Sequence, residues 1–294
     1  PAKGSSTPDA AYVEKFYKRV QQLIDDYQPD QIYFDDTILP FHGLTDEVGL
    51  QLAAHFYNSS IQWHGHNEAV MNNKFLNEMQ RRAMVYDLER GRAANILPQP
   101  WQTDTCIGSW HYDRNIFLQH HYKSAESVIR MLADIVSKNG NLMLSVPLQR
   151  DGQPDADELR IVGEIGDWLR INGEAIYATR PWKIFGEGPA LTHVEKGHFD
   201  GQADVQKSPF TAEDIRFTQS KDGQTIYAIA LALPTGQQLT VKALGTNSPY
   251  WTGHIKRVRL VGGGKLKFTR DDAGLHVVLP ANLRAKTALA LKIQ

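Results

Sequence analysis

With one cysteine, Cys106, this chain of 294 residues can form no internal disulfide and holds no redox pair. A buried, inert thiol is the expectation for it, within the stretch Asp104–Gly108. Neither sign of charge dominates: 32 basic and 33 acidic residues leave a net charge of −1. No field of one sign is available to attract a nucleic-acid backbone or an anionic membrane surface. Long apolar runs are also missing, so no transmembrane helix is predicted, and no stretch reads as a signal peptide. The glycine run Gly262–Gly264 lacks the lysine-serine pair and following helix of a phosphate loop. A serine hydrolase would need a nucleophile elbow, and none is recognisable. His64-Gly65-His66 and His120-His121 have no partner cluster at zinc-like spacing. The reading is therefore of no metal and no cofactor, with His111, His120 and His121 as hydrogen-bonding or packing residues.

What the chain does have is a short apolar run that stops on carboxylates. In Tyr27-Gln28-Pro29-Asp30-Gln31-Ile32-Tyr33-Phe34-Asp35-Asp36 a proline-marked turn leads into a strand ending on Asp35. Barrels of alternating strands and helices build their active sites on the loops beyond the carboxyl ends of the strands. An acid in that position is otherwise a solvated loop residue. The preceding segment, Ala11–Asp26, reads as a helix whose apolar face is Val13, Phe16, Tyr17, Val20, Leu23, Ile24 and Tyr27. Thr7 and Pro8 suit its N-cap and first position. A second acid, Glu89, follows the strand-like Met84–Leu88 and precedes Arg90-Gly91-Arg92. It reads either as a surface charge paired with Arg90 or Arg92, or as the partner of Asp35. Two carboxylates at the mouths of different strands are what a retaining glycosidase requires, one ionised and one protonated.

Three further stretches add to this pattern: Trp101–Tyr112, Ser137–Leu144 and Ala212–Thr218. Together with the strand ending on Asp35, and in this order, they resemble the retaining α-L-fucosidases of glycoside hydrolase family 29. The resemblance runs from the first helix to the C-terminus. It implies that Asp35, rather than Asp36, is the nucleophile and that Glu89 is the best match to the acid/base. It implies an aromatic wall beside the sugar at Tyr33, where relatives often carry tryptophan. Trp110 or Trp101 would stack on the pyranose; the alternative for each is core packing. Many relatives place an arginine near Asn72-Asn73-Lys74 to hold a sugar hydroxyl. Here the residue is Lys74, whose point charge does not reproduce a bidentate fork. The implied substrate is a fucosylated oligosaccharide or glycoconjugate, and the family suggests a secreted or periplasmic protein.

Five strand candidates are read in the first part, Gln31–Asp35, Ala69–Asn72, Ala83–Glu89, Gln102–Ile107 and Asn141–Val146, where a closed barrel needs eight. Family members carry three strands ahead of the nucleophile strand, so the expectation is a partial (β/α)8-like barrel. Its open edge calls for a cover, either a second copy in a homo-oligomer or an N-terminal segment. Helices are predicted from Thr45 to about Tyr57 and from Ser124, with Val128, Met131, Leu132, Ile135 and Val136 buried and Gly140 as the left-handed stop. A third, opened by Asp155 and Glu158, should run to Asn172 and bury Leu159, Val162, Ile165 and Leu169. Tyr177–Gly188 reads as the domain junction, dividing the chain into residues 1–175 and 176–294. Beyond it, alternation at Ile215/Phe217, Tyr227/Ile229/Leu231, Val258/Leu260, Leu266/Phe268 and Leu275/Val277/Leu279 predicts an antiparallel β-sandwich.

Overall fold

The computed structural model describes residues 8–35, 47–192, 210–283 and 285–294. Thr7, Asp36 and the Thr45-Asp46 helix opening lie outside these residues. The chain forms two compact units. The first runs to Leu88 and includes Gln99–Gln102; the second comprises Glu89–Pro98 and everything from Thr103 onward.

In the first unit, helix α1 (Ala10–Tyr27) begins one residue before the predicted Ala11 and leaves Pro8, expected at its first position, outside the helix, because Asp9 is its N-cap and accepts from the Tyr12 amide at 2.7 Å. Val13, Phe16, Tyr17, Val20 and Ile24 pack inward as the spacing requires. Leu23 and Tyr27 do not: they are 46% and 79% exposed. Strand β1 (Gln31–Phe34) is followed by helix α2 (Glu47–His64), two turns longer than its apolar pattern suggested, and then by strand β2 (Val70–Lys74). Strand β3 (Val85–Asp87) is shorter than predicted. The predicted run at Gln102–Ile107 is β4 (Trp101–Cys106). The pairs β1–β2, β2–β3 and β3–β4 are all parallel. Their apolar support is the cluster of Ile24, Leu52, Phe56, Met71 and Met84 beneath α1 and α2.

In the second unit come helix α3 (Arg114–Leu118), helix α4 (Ala125–Ser137), strand β5 (Gly140–Ser145) and helix α5 (Ala156–Asn172). The strand order β1-β2-β3-β4-β5 gives five strands among the described residues, the partial barrel expected. Ser124 caps α4, and Asp155 with Glu158 forms the capping box of α5. After α4 it is Asn139, at φ +73°, that takes the left-handed turn, which frees Gly140 to open β5. The buried face of α5 is rotated from the predicted one. Ile161 and Trp168 are enclosed with Ile165 and Leu169 packed beside them, whereas Leu159 and Val162 are 59% and 42% exposed.

The stretch read as a junction is itself mostly a strand, β6 (Thr179–Glu187), with a register shift between Pro181 and Gly186 that accommodates its proline and glycine. Seven further strands follow: β7 (Ile215–Ser220), β8 (Ile226–Ala230), β9 (Gln238–Val241), β10 (Val258–Leu260), β11 (Lys267–Asp271), β12 (Gly274–Val278) and β13 (Leu289–Ile293). They form two antiparallel sheets, ordered β10-β13-β8-β7-β6 and β11-β12-β9. Alternation in β8 reflects two cores rather than one core and solvent. Ile226, Ala228 and Ala230 face the smaller sheet, while Tyr227 and Ile229 pack with Ile129, Ala133 and Trp168 of α4 and α5. The larger sheet is covered on both faces.

Candidate active site

Asp35 is the residue immediately after β1, and its side chain is 70% exposed. Lys74 ends the neighbouring strand β2, and its Nζ lies 2.8 Å from Asp35 Oδ1 although the lysine side chain is only 5% exposed. An ammonium buried beneath an exposed carboxylate fixes the acid at the strand's end while leaving it open to solvent. Below the pair, side chains on successive strands are hydrogen-bonded to one another. The Tyr33 hydroxyl donates to Asp87 Oδ1 at 3.5 Å, and Gln102 Nε2 donates to Asp87 Oδ2 at 2.7 Å. Asn72 Nδ2 donates to Gln102 Oε1 at 3.3 Å, and Gln31 Nε2 to Asn72 Oδ1 at 2.9 Å. Asn72, Asp87 and Gln102 are all buried. Satisfied networks of this kind rigidify what they support.

Glu89 lies two residues beyond the end of β3, in a turn, and is half-buried. The next residue, Arg90, is buried; its Nη2 donates to Cys106 Sγ at 3.1 Å, and its guanidinium lies 4.6 Å from the centre of the Trp110 ring. Cys106 is fully enclosed. Trp110 is half-buried and keeps exposed surface, whereas Trp101 is 1% exposed and has no free face for a sugar. The segment between α3 and α4 is tied to the start of α5, where Tyr122 donates to Asp155 Oδ2 at 2.6 Å. Burial, reinforced by that carboxylate, pushes the Tyr122 hydroxyl far above the usual phenol range. His120 pairs with Asp157 at 2.7 Å. Among the described residues no group of three or more His, Cys, Asp or Glu side chains is arranged to hold a metal ion.

Of the residues singled out in the sequence, the structure joins Asp35 with Lys74 and brings Tyr33 into the network around Asp87. Asp35 belongs to the first unit and Glu89 to the second. Sequence reasoning passed over Asp87, Gln102, Asn72 and Arg90. The signal for the first three was present: polar residues inside runs with strand character, where a buried sheet should be apolar. Asp87 closes its strand much as Asp35 follows its own. Arg90 carried no such signal, since nothing local distinguishes a buried arginine from a surface counterion of Glu89.

Comparison with known proteins gives a consistent answer. The family model described as alpha-L-fucosidase matches residues 1–174, and that of the alpha-L-fucosidase C-terminal domain matches residues 206–294. Human plasma alpha-L-fucosidase is 24% identical over 282 residues, covering 91% of this chain and 52% of the relative. Human tissue alpha-L-fucosidase is 30% identical over 201 residues, covering 66% of this chain and 36% of the relative. A Thermotoga maritima alpha-fucosidase solved with a mechanism-based inhibitor is 26% identical with a TM-score of 0.69, covering 97% of this chain and 57% of that one. The chain therefore spans about half the length of these relatives or less. On the match to well over half of its residues, the chain belongs to the alpha-L-fucosidase family.

Proposed function

We propose that this chain carries the nucleophile and the acid/base of a retaining α-L-fucosidase acting on terminal α-L-fucosyl linkages. The observation that carries this reading is Asp35, exposed at the carboxyl end of a parallel strand and held there by a buried lysine. Asp35 attacks the anomeric carbon as the glycosidic bond breaks, giving a covalent glycosyl-enzyme with inverted configuration. Glu89 protonates the departing oxygen. In the second half it takes a proton from water, which attacks the same carbon, expels Asp35 and restores the original configuration. Lys74 balances the charge of Asp35 before attack and after release. Tyr33, fixed through its hydroxyl, and Trp110 supply apolar ring surface for the sugar.

The span of the match favours a second reading as well. A chain corresponding to about 57% of the Thermotoga maritima enzyme would bind saccharide but turn it over only when the rest of a barrel is supplied, by another segment or a second copy. Hydrolysis of an aryl α-L-fucoside separates the two readings. For an active chain, Asp35→Ala should lower turnover on the order of 10³-fold or more. Added azide should rescue it and release β-fucosyl azide, since an external nucleophile then performs a single inversion. Undiminished turnover by Asp35→Ala would refute the assignment.

A further inference from the structure

Arg90, the residue following Glu89, adopts a backbone conformation that side chains other than glycine rarely take, with φ at +46°. Surroundings must impose such a conformation, and residues so held concentrate at functional positions. Here the surroundings are identifiable. The Arg90 amide donates to the Asp104 carbonyl at 2.9 Å, which draws the turn after β3 onto β4. Its side chain is 4% exposed, with Nη2 on Cys106 Sγ at 3.1 Å and the guanidinium 4.6 Å from the centre of the Trp110 ring. The thiol is itself fixed, donating to the Gly108 carbonyl at 3.3 Å. One residue thus grips the strand on one side and the loop bearing Trp110 on the other, while its own backbone carries Glu89.

We propose that Arg90 is a positioning residue that couples the acid/base to the aromatic wall. Its left-handed turn sets the peptide that carries Glu89, and its guanidinium plane sets the orientation of Trp110. The proposal rests on reading Glu89 as the acid/base. A lysine would keep the charge but lose the planar group that faces the indole and reaches the thiol together.

The test is Arg90→Lys in the full chain, assayed on two α-L-fucosides. One has 2-chloro-4-nitrophenol as its leaving group and the other a sugar. Departure of the phenol needs little proton assistance, whereas departure of the sugar depends on it, and general acid catalysis contributes about 10²- to 10⁴-fold. The kcat on the sugar-linked substrate should fall on the order of 10- to 100-fold while kcat on the activated fucoside stays within about threefold, the loosened Trp110 raising KM for both. An equal loss of kcat on both substrates, or none, overturns the proposal. A second readout needs no turnover. Acrylamide quenching of tryptophan emission, compared with Trp110→Phe in each background, isolates Trp110, whose quenching should rise in Arg90→Lys. Unchanged quenching overturns the proposal; absence of hydrolysis in the unaltered chain would overturn only the reading of the activity, leaving Trp110 to decide. If Arg90→Lys does not fold, Arg90→Gly, which accepts a positive φ without strain, should give the same pattern.

Discussion

The parallel strands of the first unit, β1 to β3 with the start of β4, and the antiparallel sheets of the second are built from opposite materials. Between its strands the first buries Asn72, Asn73, Lys74, Asp87 and Gln102. The larger antiparallel sheet buries Ile226, Ala228, Ala230, Leu289, Leu291 and Ile293, and its partner sheet adds Leu239, Val241, Leu275 and Val277. Apolar burial stabilises by about 25 cal/mol per Å², whereas every enclosed amide or charge must be repaid by a hydrogen bond or a counterion before it contributes anything. A sheet built for stability alone has no reason to enclose two asparagines and a lysine in succession. The first sheet holds polar groups in place, and the second holds the fold together.

The comparison has an exception at β7, and breaking it should give the largest effect on stability. In the second unit Asp134 on α4 is buried between Arg216 Nε at 2.6 Å and Lys138 Nζ at 2.7 Å, so one ionic cluster fastens a helix to strand β7 of the apolar sheet. Burial alone would raise the Asp134 carboxyl, but Arg216 and Lys138 hold it below the usual carboxylate range. Arg216→Met leaves that carboxylate short of its main partner and should cost about 3–5 kcal/mol in urea unfolding. Asp134→Leu combined with Arg216→Met and Lys138→Met should recover most of this, because the cluster is then replaced by apolar packing. The sign with pH follows from a depressed acid. The contribution of Asp134 is complete above the unfolded value near 4 and is lost as pH falls through the lower folded value. Acid unfolding of the unaltered chain should show that loss, and the triple variant should not.

How much of this was legible in the sequence divides along the same line. Alternation placed the sandwich strands because a period of two is imposed by a sheet with an apolar face. It could not show that the second face of β8 packs on α4 and α5, since tyrosine and isoleucine read the same against a helix as against a sheet. Capping chemistry is local, so Ser124 and the Asp155–Glu158 box were readable. For the same local reason the cap is Asp9, two residues nearer the first apolar turn than the expected Thr7. The candidate site was legible where one residue's position in its strand is informative, as at Asp35. It was illegible where the arrangement depends on contacts across strands, as in the chain from Gln31 through Asn72 and Gln102 to Asp87. No spacing along the sequence encodes those partners.

Lys74 sharpens the comparison from the polar side. Lys74→Met removes a buried ammonium whose partner is exposed, so the Asp35 carboxylate can turn to water at little cost. Stability should change by less than about 1 kcal/mol, the range of pairs with one solvated member. Fucoside turnover should fall on the order of 10-fold or more, as expected for loss of a preorganised charge beside the proposed nucleophile. Lys74→Arg should retain more of the activity than Lys74→Met. Equal activity in the two variants would remove Lys74 from the reaction and leave it a packing residue.

The smallest expected effect concerns a carboxyl in the second unit that has no such cation. Glu158 is fully buried at the start of α5; one of its oxygens accepts from the Asp155 amide at 2.8 Å and the other, Oε1, has no hydrogen-bond partner among the described residues. Burial pushes its carboxyl above the usual range, against the lowering effect of that amide. A raised acid has the opposite sign to Asp134: stability is complete below the unfolded value near 4.3 and declines as pH rises through the folded one. Glu158→Gln keeps an acceptor for the Asp155 amide and removes the buried charge. Its melting temperature should therefore exceed that of the unaltered chain by a few degrees near neutral pH, and the two should converge below about pH 4, where the glutamate is protonated in both states. A gain that persists unchanged into acid would show that packing, not ionisation, sets the cost of this carboxyl.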